Sequence, residues 1–411
     1  MSAELFRVVT PMDALLRIFE AFQPNVGQER VPLEDSLSRI VAVPIYASEQ
    51  SPSFSRSAMD GFAVSGADTY GASDGLPSYL LVQGEVQMGR SAVKPVTSGT
   101  AQRIHTGGMI PPGADAVVMV EHTQTIDEQA IEVTRPVAPG ENVIQAGEDL
   151  AVGDLILSAG KRVRPQDIGV LAALGIHEVV VMQRPIIGLL ATGDEIVDRT
   201  SKPAPGQVRD VNTSVLSGFM KEIGALPKSY GIAPDDRSAL MRMASKALST
   251  CDMLVITAGS SVSTRDLTAD VIGDLGMPGV LAHGLTVKPG KPTIVAVCNG
   301  KPVFGLPGNP VSAIVVYGLL VRPTICNLLG FSEEDTRPRI RARLRRNVAS
   351  QSGRMDYVPV ILHEHDEELW AEPIFGKSNL IYTLVRASGL ATIPMDAGGK
   401  PEGDLVDVEL L

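Results

Sequence analysis

Residues able to do chemistry gather in a few short loops. Lys288-Pro289-Gly290-Lys291-Pro292 places two ammonium groups close together between prolines and a glycine. Proline stiffens the backbone and glycine allows an unusual turn, so the two cations keep a fixed separation. Crowded lysines repel unless an anion lies between them; a polar hairpin is the plain alternative. Pro307-Gly308-Asn309-Pro310-Val311-Ser312 leads into a long apolar helix pattern over Ala313–Leu329. A helix start approached by small residues is a ready oxyanion site. Against these donors stand the acids of Thr192-Gly193-Asp194-Glu195, together with Asp236 and Asp266. Acids beside a phosphate-binding loop repel phosphate unless a divalent cation bridges the two, and oxygen ligands of this kind suit Mg²⁺. The constellation points to phosphoester or oxyanion chemistry on a metal-bridged substrate, in one shared pocket.

Four apolar runs must position these loops: Ile186–Ala191, Met253–Ile256, Thr293–Val297 and Val303–Leu306. Continuous runs of this length between helical patterns read as buried parallel strands. Ligands of open α/β sheets sit outside the carboxyl ends of such strands. All the loops except the lysine one fall at those ends, which puts the active site there. Helices are expected over Thr213–Gly224 and Arg237–Ser249, with Asp235-Asp236 capping the second. Neither GxGxxG nor GxxxxGK[ST] is found, so dinucleotide and Walker-type binding lack support.

Upstream, Thr10 and Pro11 open a helix whose apolar face is Ala14, Leu15, Ile18, Phe19 and Phe22. A second helix is expected over Pro32–Leu37. From Ser51 frequent Gly, Ser and Pro between short strands suggest an all-β module. It carries Asp60-Gly61, where the acid alone reads as a turn former, and Thr106-Gly107-Gly108, a weak phosphate-approach signal. Near Val143 the chain returns to its first domain, and Gln166–Gly175 reads as a helix stopped by Gly175. After Phe331, Arg339, Arg341, Arg343 and Arg345 alternate with apolar residues as a strand with one solvated basic face. His363–Glu368 reads as a hairpin tip rather than a metal tract.

With 411 residues the chain has room for two to four domains, each with its own core. A net charge of −11 excludes a general nucleic-acid or acidic-membrane surface. Cys251, Cys298 and Cys326 are too scattered for a disulfide scaffold or zinc site and read as reduced core thiols. No apolar run of about 18 residues and no signal-peptide pattern is seen, so a cytoplasmic protein without a membrane span is expected.

Thr192-Gly193-Asp194-Glu195, the Gly259–Asp266 loop, Lys288–Pro292, Pro307–Ser312 and Ser57-Ala58-Met59-Asp60-Gly61, in that combination, resemble the MoeA family of molybdopterin molybdenumtransferases, related to the E domain of gephyrin. The resemblance covers nearly the whole chain. It implies a multidomain α/β and β fold: a discontinuous α+β scaffold domain over 1–50 and 143–180, and an inserted β module over 51–142. A central open α/β molybdopterin-binding domain would follow over 181–330, and a C-terminal β-barrel-like domain over 331–411. It implies a homodimer whose site joins one subunit's α/β domain to the other's inserted module. The implied reaction converts molybdate and adenylylated molybdopterin into molybdenum cofactor and AMP with Mg²⁺.

By the same resemblance, Glu195 and Asp266 would hold the cation, with Asp236 and Asp149 at further acidic positions. Thr192, Gly193, Asp194, Ser260, Ser261 and Asn309, flanked by Pro307, Gly308 and Pro310, would line the pterin and phosphate site. Lys288, Lys291 and Ser312, beside Pro292, would bind molybdate with Ser378 of the last domain. Asp60 and Thr106 would come from the partner subunit. Partners implied are a separate molybdopterin adenylyltransferase and molybdoenzyme apoproteins or their chaperones. Two departures stand out. Ala258 and Ser263 replace glycines beside Arg265, and Pro359 stands where many relatives have arginine, so that one oxyanion donor is either missing or supplied by Arg354. The competing readings are a non-catalytic molybdopterin-binding scaffold and a nucleotide hydrolase.

Overall fold

The computed structural model describes residues 8–127, 129–258, 262–331 and 338–411. At its centre lies a six-stranded sheet in the order Leu226–Ala233, Ile186–Thr192, Met253–Ala258, Lys301–Pro307, Ile294–Cys298, Pro278–His283. The first four strands are parallel. The last two run antiparallel to their neighbours. This corrects the expectation that Thr293–Val297 is a parallel strand. The cause is local: Asn299 and Gly300 both take positive φ, 53° and 76°. A two-residue turn of that kind makes a hairpin. Ile294 therefore lies opposite Gly305, and the lysine loop before it arrives at the rim where the parallel strands end. The outer strands Leu226–Ala233 and Pro278–His283 lack continuous apolar runs and were not anticipated.

Side chains alternate across this sheet, as strand geometry requires. Ile187, Leu189, Met253, Val255, Phe304 and Leu306 enter one core, where Leu216, Met220, Tyr317 and Leu320 cover them. Leu190, Leu254, Ile256 and Val303 face the other, under Leu240, Ala244, Val271 and Ile272. Each such fully buried Leu or Ile contributes roughly 1.5–3 kcal/mol. The helices Asn212–Glu222 and Arg237–Ser249 lie close to their expected bounds. Thr10 caps Pro11–Ala21 by accepting from Asp13 N at 3.1 Å. That helix, with Ile18 and Phe22, packs into the core of the central sheet.

The apolar stretch Pro310–Leu328 is helical throughout, with a π turn over Tyr317–Val321. Its 19 residues are long and apolar enough to cross a membrane, which corrects the expectation that no such run exists. Its most apolar window is 72% buried among the central elements, as a core helix would be.

Residues 61–133 build a second six-stranded sheet with its own core of Phe62, Val64, Leu80, Ala116, Val118 and Ile131. The helix expected at Pro32–Leu37 is instead a 3₁₀ turn, Leu33–Ser36. It follows a strand, Gln28–Pro32, that pairs with Glu178–Met182. Its backbone is claimed by the ladder before it, leaving too few residues for an α-helix.

In the last region Met355–His365, Glu368–Pro373, Arg339–Leu344, Leu405–Leu410 and Gly389–Ile393 close on one another as a five-stranded barrel. Asp366 and Glu367, both at positive φ, form the expected hairpin tip. The basic face is solvated and ion-paired, as by Arg343 with Glu368 at 2.8 Å. A short strand of the central domain, Val287–Lys288, joins the barrel parallel to Met355–Asp356.

Candidate active site

Two cavities open at the rim of the central sheet. One, of 590 Å³, is lined by Thr192, Glu195, Gln207, Asn212, Thr257, Gly308, Asn309 and Pro310. The other, of 490 Å³, is lined by Lys288, Pro289, Gly290, Lys291, Pro292, Pro307, Asn309, Ser312, Arg354 and Ser378. Asn309 belongs to both walls. The single pocket expected from sequence is thus two adjoining ones, because the asparagine loop stands between the acid-bearing and lysine-bearing rims.

The lysine loop is fixed by its own backbone. Lys291 O accepts from Leu285 N at 2.8 Å and Thr293 N at 2.9 Å. The buried Thr293 hydroxyl donates to Gly290 O at 2.7 Å. Gly290 has φ 115°, and a Cβ there would lie 2.6 Å from Val316 Cγ2. The asparagine loop is tied down from both sides. Asn212 Nδ2 donates to Gly308 O at 2.8 Å. Asn309 Nδ2 donates to Ser378 Oγ at 3.0 Å, and Val311 N to Ser378 O at 3.1 Å. Ser378 thereby brings the barrel end to the rim.

The acids divide. Glu195 lines the larger cavity, folded back against Gly193, where φ is 147° and a Cβ would meet Glu195 Oε2 at 2.7 Å. Asp194 Oδ1 accepts from Asp235 N at 3.1 Å, and Thr192 Oγ1 donates to Asp235 Oδ1 at 3.3 Å. Of the Asp235-Asp236 pair it is Asp236 that caps, accepting from Ala239 N at 2.7 Å. Asp266 sits exposed on the helix Val262–Asp274 and lines neither cavity. Glu195 and Asp266 thus do not line either cavity together. Asp149 is exposed on a loop, its backbone N–H donating to Ser51 O at 3.0 Å, and lines neither cavity. Ser260 and Ser261 lie outside the described residues.

Asp60 and Thr106, distant in sequence, do meet. Asp60 Oδ1 accepts from Thr106 N at 2.7 Å and from Thr106 Oγ1 at 3.0 Å. These two bonds, with His105 adding a weaker attraction, hold the Asp60 carboxyl below its ordinary range. His105 also contacts Glu85 at 2.9 Å through Nε2. The pair is exposed on the inserted module and lines neither cavity of its own chain.

Among the described residues no group of three or more His, Cys, Asp and Glu side chains gathers to hold a metal ion. Glu195 and Asp210, both lining the 590 Å³ cavity, are oxygen donors of the type a hard divalent cation takes one or two at a time.

Sequence reasoning missed two residues. Asn212 is buried to 7% exposure, and its Oδ1 has no hydrogen-bond partner among the described residues. Asp356 is buried to 3% exposure beneath Lys288 and Arg354. No sequence signal marks the acid within Met355–Pro359 as buried. Cys251, Cys298 and Cys326 are buried, with no disulfide among the described residues.

Fold and rim together define a multidomain α/β protein whose central domain presents a ligand site at the edge of a mixed sheet. Three family descriptions match it. The MoeA N-terminal region (domain I and II) covers residues 9–175, a probable molybdopterin binding domain 188–327, and the MoeA C-terminal region (domain IV) 341–411. The chain is 35% identical over 405 residues to a putative molybdopterin biosynthesis protein of Methanocaldococcus jannaschii, covering 96% of this chain and 95% of that one. It is 33% identical over 409 residues to the molybdopterin molybdenumtransferase of Bacillus subtilis, covering 98% and 95%. The crystal structure of the molybdopterin biosynthesis MoeA protein from Pyrococcus horikoshii OT3 matches with a TM-score of 0.86 at 31% identity, over 98% of this chain and 100% of that one. The chain belongs to the MoeA family.

Proposed function

We propose that this protein inserts molybdenum from molybdate into adenylylated molybdopterin and releases AMP. A transferase role in molybdenum cofactor biosynthesis follows from family membership. The finer reading rests on one observation: a cationic, hydroxyl-rich cavity adjoins an acid-bearing cavity across Asn309.

Lys288, Lys291, Arg354 and the Ser312 hydroxyl offer donors to a tetrahedral oxyanion in the 490 Å³ cavity. Thr192, Asn212, Thr257 and the Gly308–Pro310 backbone offer polar contacts to pterin and phosphate in the 590 Å³ cavity. Glu195, with Asp266 as the family resemblance implies, would hold Mg²⁺, which would supply charge neutralisation at the phosphoanhydride. Asn309, in the shared wall, orients the two substrates toward each other. The lysines stabilise charge that develops as AMP departs; losing one such donor commonly costs about 10²–10³ in kcat. The substrate's dithiolene sulfurs take the metal, so the protein needs no thiol of its own. Asp60 and Thr106 are contributed by a second copy of the chain, making the homodimer the working unit. A separate molybdopterin adenylyltransferase would supply the substrate, and molybdoenzyme apoproteins or their chaperones would receive the product.

The test is AMP release from adenylylated molybdopterin in the presence of Mg²⁺ and molybdate. Release that depends on both supports the proposal. None above background would favour a molybdopterin-binding scaffold, and release of AMP from simple nucleotides without pterin would favour a hydrolase.

A further inference from the structure

Asp356 is the most deeply buried acid beside the oxyanion cavity, yet it does not line that cavity. It stands directly opposite Lys288 in the parallel pairing of Val287–Lys288 with Met355–Asp356. Its two oxygens are divided between two cations. Oδ2 lies 3.6 Å from Lys288 Nζ, and Oδ1 accepts from Arg354 Nε at 2.9 Å. Arg354 lies in the bend just before the strand Met355–His365, two positions from Asp356. Both cations line the oxyanion cavity, from a more exposed position than the acid. A buried carboxylate without partners is costly, so the acid holds its cations as firmly as they hold it.

Pro359, an uncharged residue, lines a neighbouring cavity of 410 Å³ on the barrel side, whose wall also includes Lys288 and Asp356. It therefore gives the oxyanion cavity no cation, and the Lys288–Arg354 pair carries more of the recognition. We infer that Asp356 is a positioning residue for the oxyanion substrate: it sets the spacing of Lys288 and Arg354 from behind, so that both can reach one tetrahedral anion without first being ordered. Without it the two cations repel and swing toward solvent, and anion binding must supply the cost of gathering them. This inference rests on the oxyanion reading of that cavity.

The experiment measures molybdate binding to the full-length protein by equilibrium dialysis, alongside steady-state AMP release. Asp356→Asn keeps the shape and removes the charge. The expected result is a molybdate Kd and KM raised about tenfold, with kcat at saturating molybdate and the KM for adenylylated molybdopterin within about twofold of wild type. In a background where Lys288 and Arg354 are both alanine, adding Asp356→Asn should change the Kd by less than about threefold. An unchanged or tighter Kd in the single variant would mean the carboxylate only competes with the oxyanion, and overturns the inference. So would the same tenfold loss in the background lacking both cations, which marks a merely structural role. Should Asp356→Asn not fold, Arg354→Lys keeps the charge but loses the Nε bond; the same weakening is expected, and an unchanged Kd refutes the idea. Wild-type protein that binds no molybdate sinks the functional reading and this inference together. Wild-type turnover with an unaffected Asp356→Asn variant sinks this inference alone.

Discussion

Replacing Gly290 by alanine tests how the lysine loop is built. Two separate costs apply. A Cβ-bearing residue at φ 115° occupies backbone space that L side chains rarely use, at about 1–2 kcal/mol. The new Cβ would also lie 2.6 Å from Val316 Cγ2, with Val287 Cγ2 at 3.3 Å. Val316 is fully buried in the central core and cannot step aside freely; overpacking of this kind costs about 1–3 kcal/mol. The sum is about 2–5 kcal/mol. For a domain of 150–250 residues each kcal/mol moves Tm by about 2–4 °C. The decisive assay is a double-mutant cycle followed by urea unfolding. In a Val316→Ala background the clash disappears while the backbone strain stays, so the cost of Gly290→Ala should fall to about 1–2 kcal/mol. Molybdate binding should weaken in Gly290→Ala and partly recover in the double variant. A cost below about 1 kcal/mol, or an equal cost in both backgrounds, would refute the packing argument.

Further expectations can be checked independently. Asp236→Ala should destabilise the protein by about 1 kcal/mol through loss of the helix cap, while Asp236→Ser should restore stability; if serine also restores AMP release, the acid acts only as a cap. The Asp60 carboxyl is held below the usual 3.8, so its bonds to Thr106 stabilise the fold above that pH and are lost as pH falls through the lowered value. Thr106→Val, which removes the hydroxyl donor and keeps the backbone one, should move the Asp60 titration in carbon-detected NMR part of the way upward; an unmoved titration would contradict the assignment. Burial pushes the Cys251 and Cys298 thiols up to about 11. At pH 8 their thiolate fraction is then on the order of 10⁻³, so a thiol-specific reagent should label neither in the native protein and all three cysteines after unfolding.

Much of the central domain could be read from sequence because its buried strands are continuous apolar runs, and because Asp236 and Thr10 are cap residues at sharp helix starts. The reading failed where backbone turns, rather than hydrophobicity, decide direction. Asn299-Gly300 between two apolar runs is a hairpin signal, and weighing it would have reversed the strand Ile294–Cys298. The outer strand Leu226–Ala233 was invisible because half-exposed residues replace the apolar run. At the site, loops of unusual composition were recognised, and Lys288, Lys291, Ser312, Asn309 and Ser378 do converge. What sequence could not supply was depth. Nothing in Met355-Asp356-Tyr357 marks the acid as buried; it pairs with Lys288 of another domain and with Ile393 of its own barrel.

The outer strands of the central sheet have a further consequence. Among the described residues Leu226–Ala233 has no strand beyond it, but it carries Pro227 and Lys228, and its pairing is interrupted near Gly231, which has φ 89°. Proline withholds a ladder donor, lysine resists burial against another chain, and a bulge twists the edge out of line. On the opposite side Pro278 opens the strand Pro278–His283, and Arg17 of the first helix spends a guanidinium N–H on Leu281 O at 2.9 Å. Both flanks thus refuse foreign strands, so the apolar sheet that presents the lysine and asparagine loops is guarded against edge-to-edge aggregation.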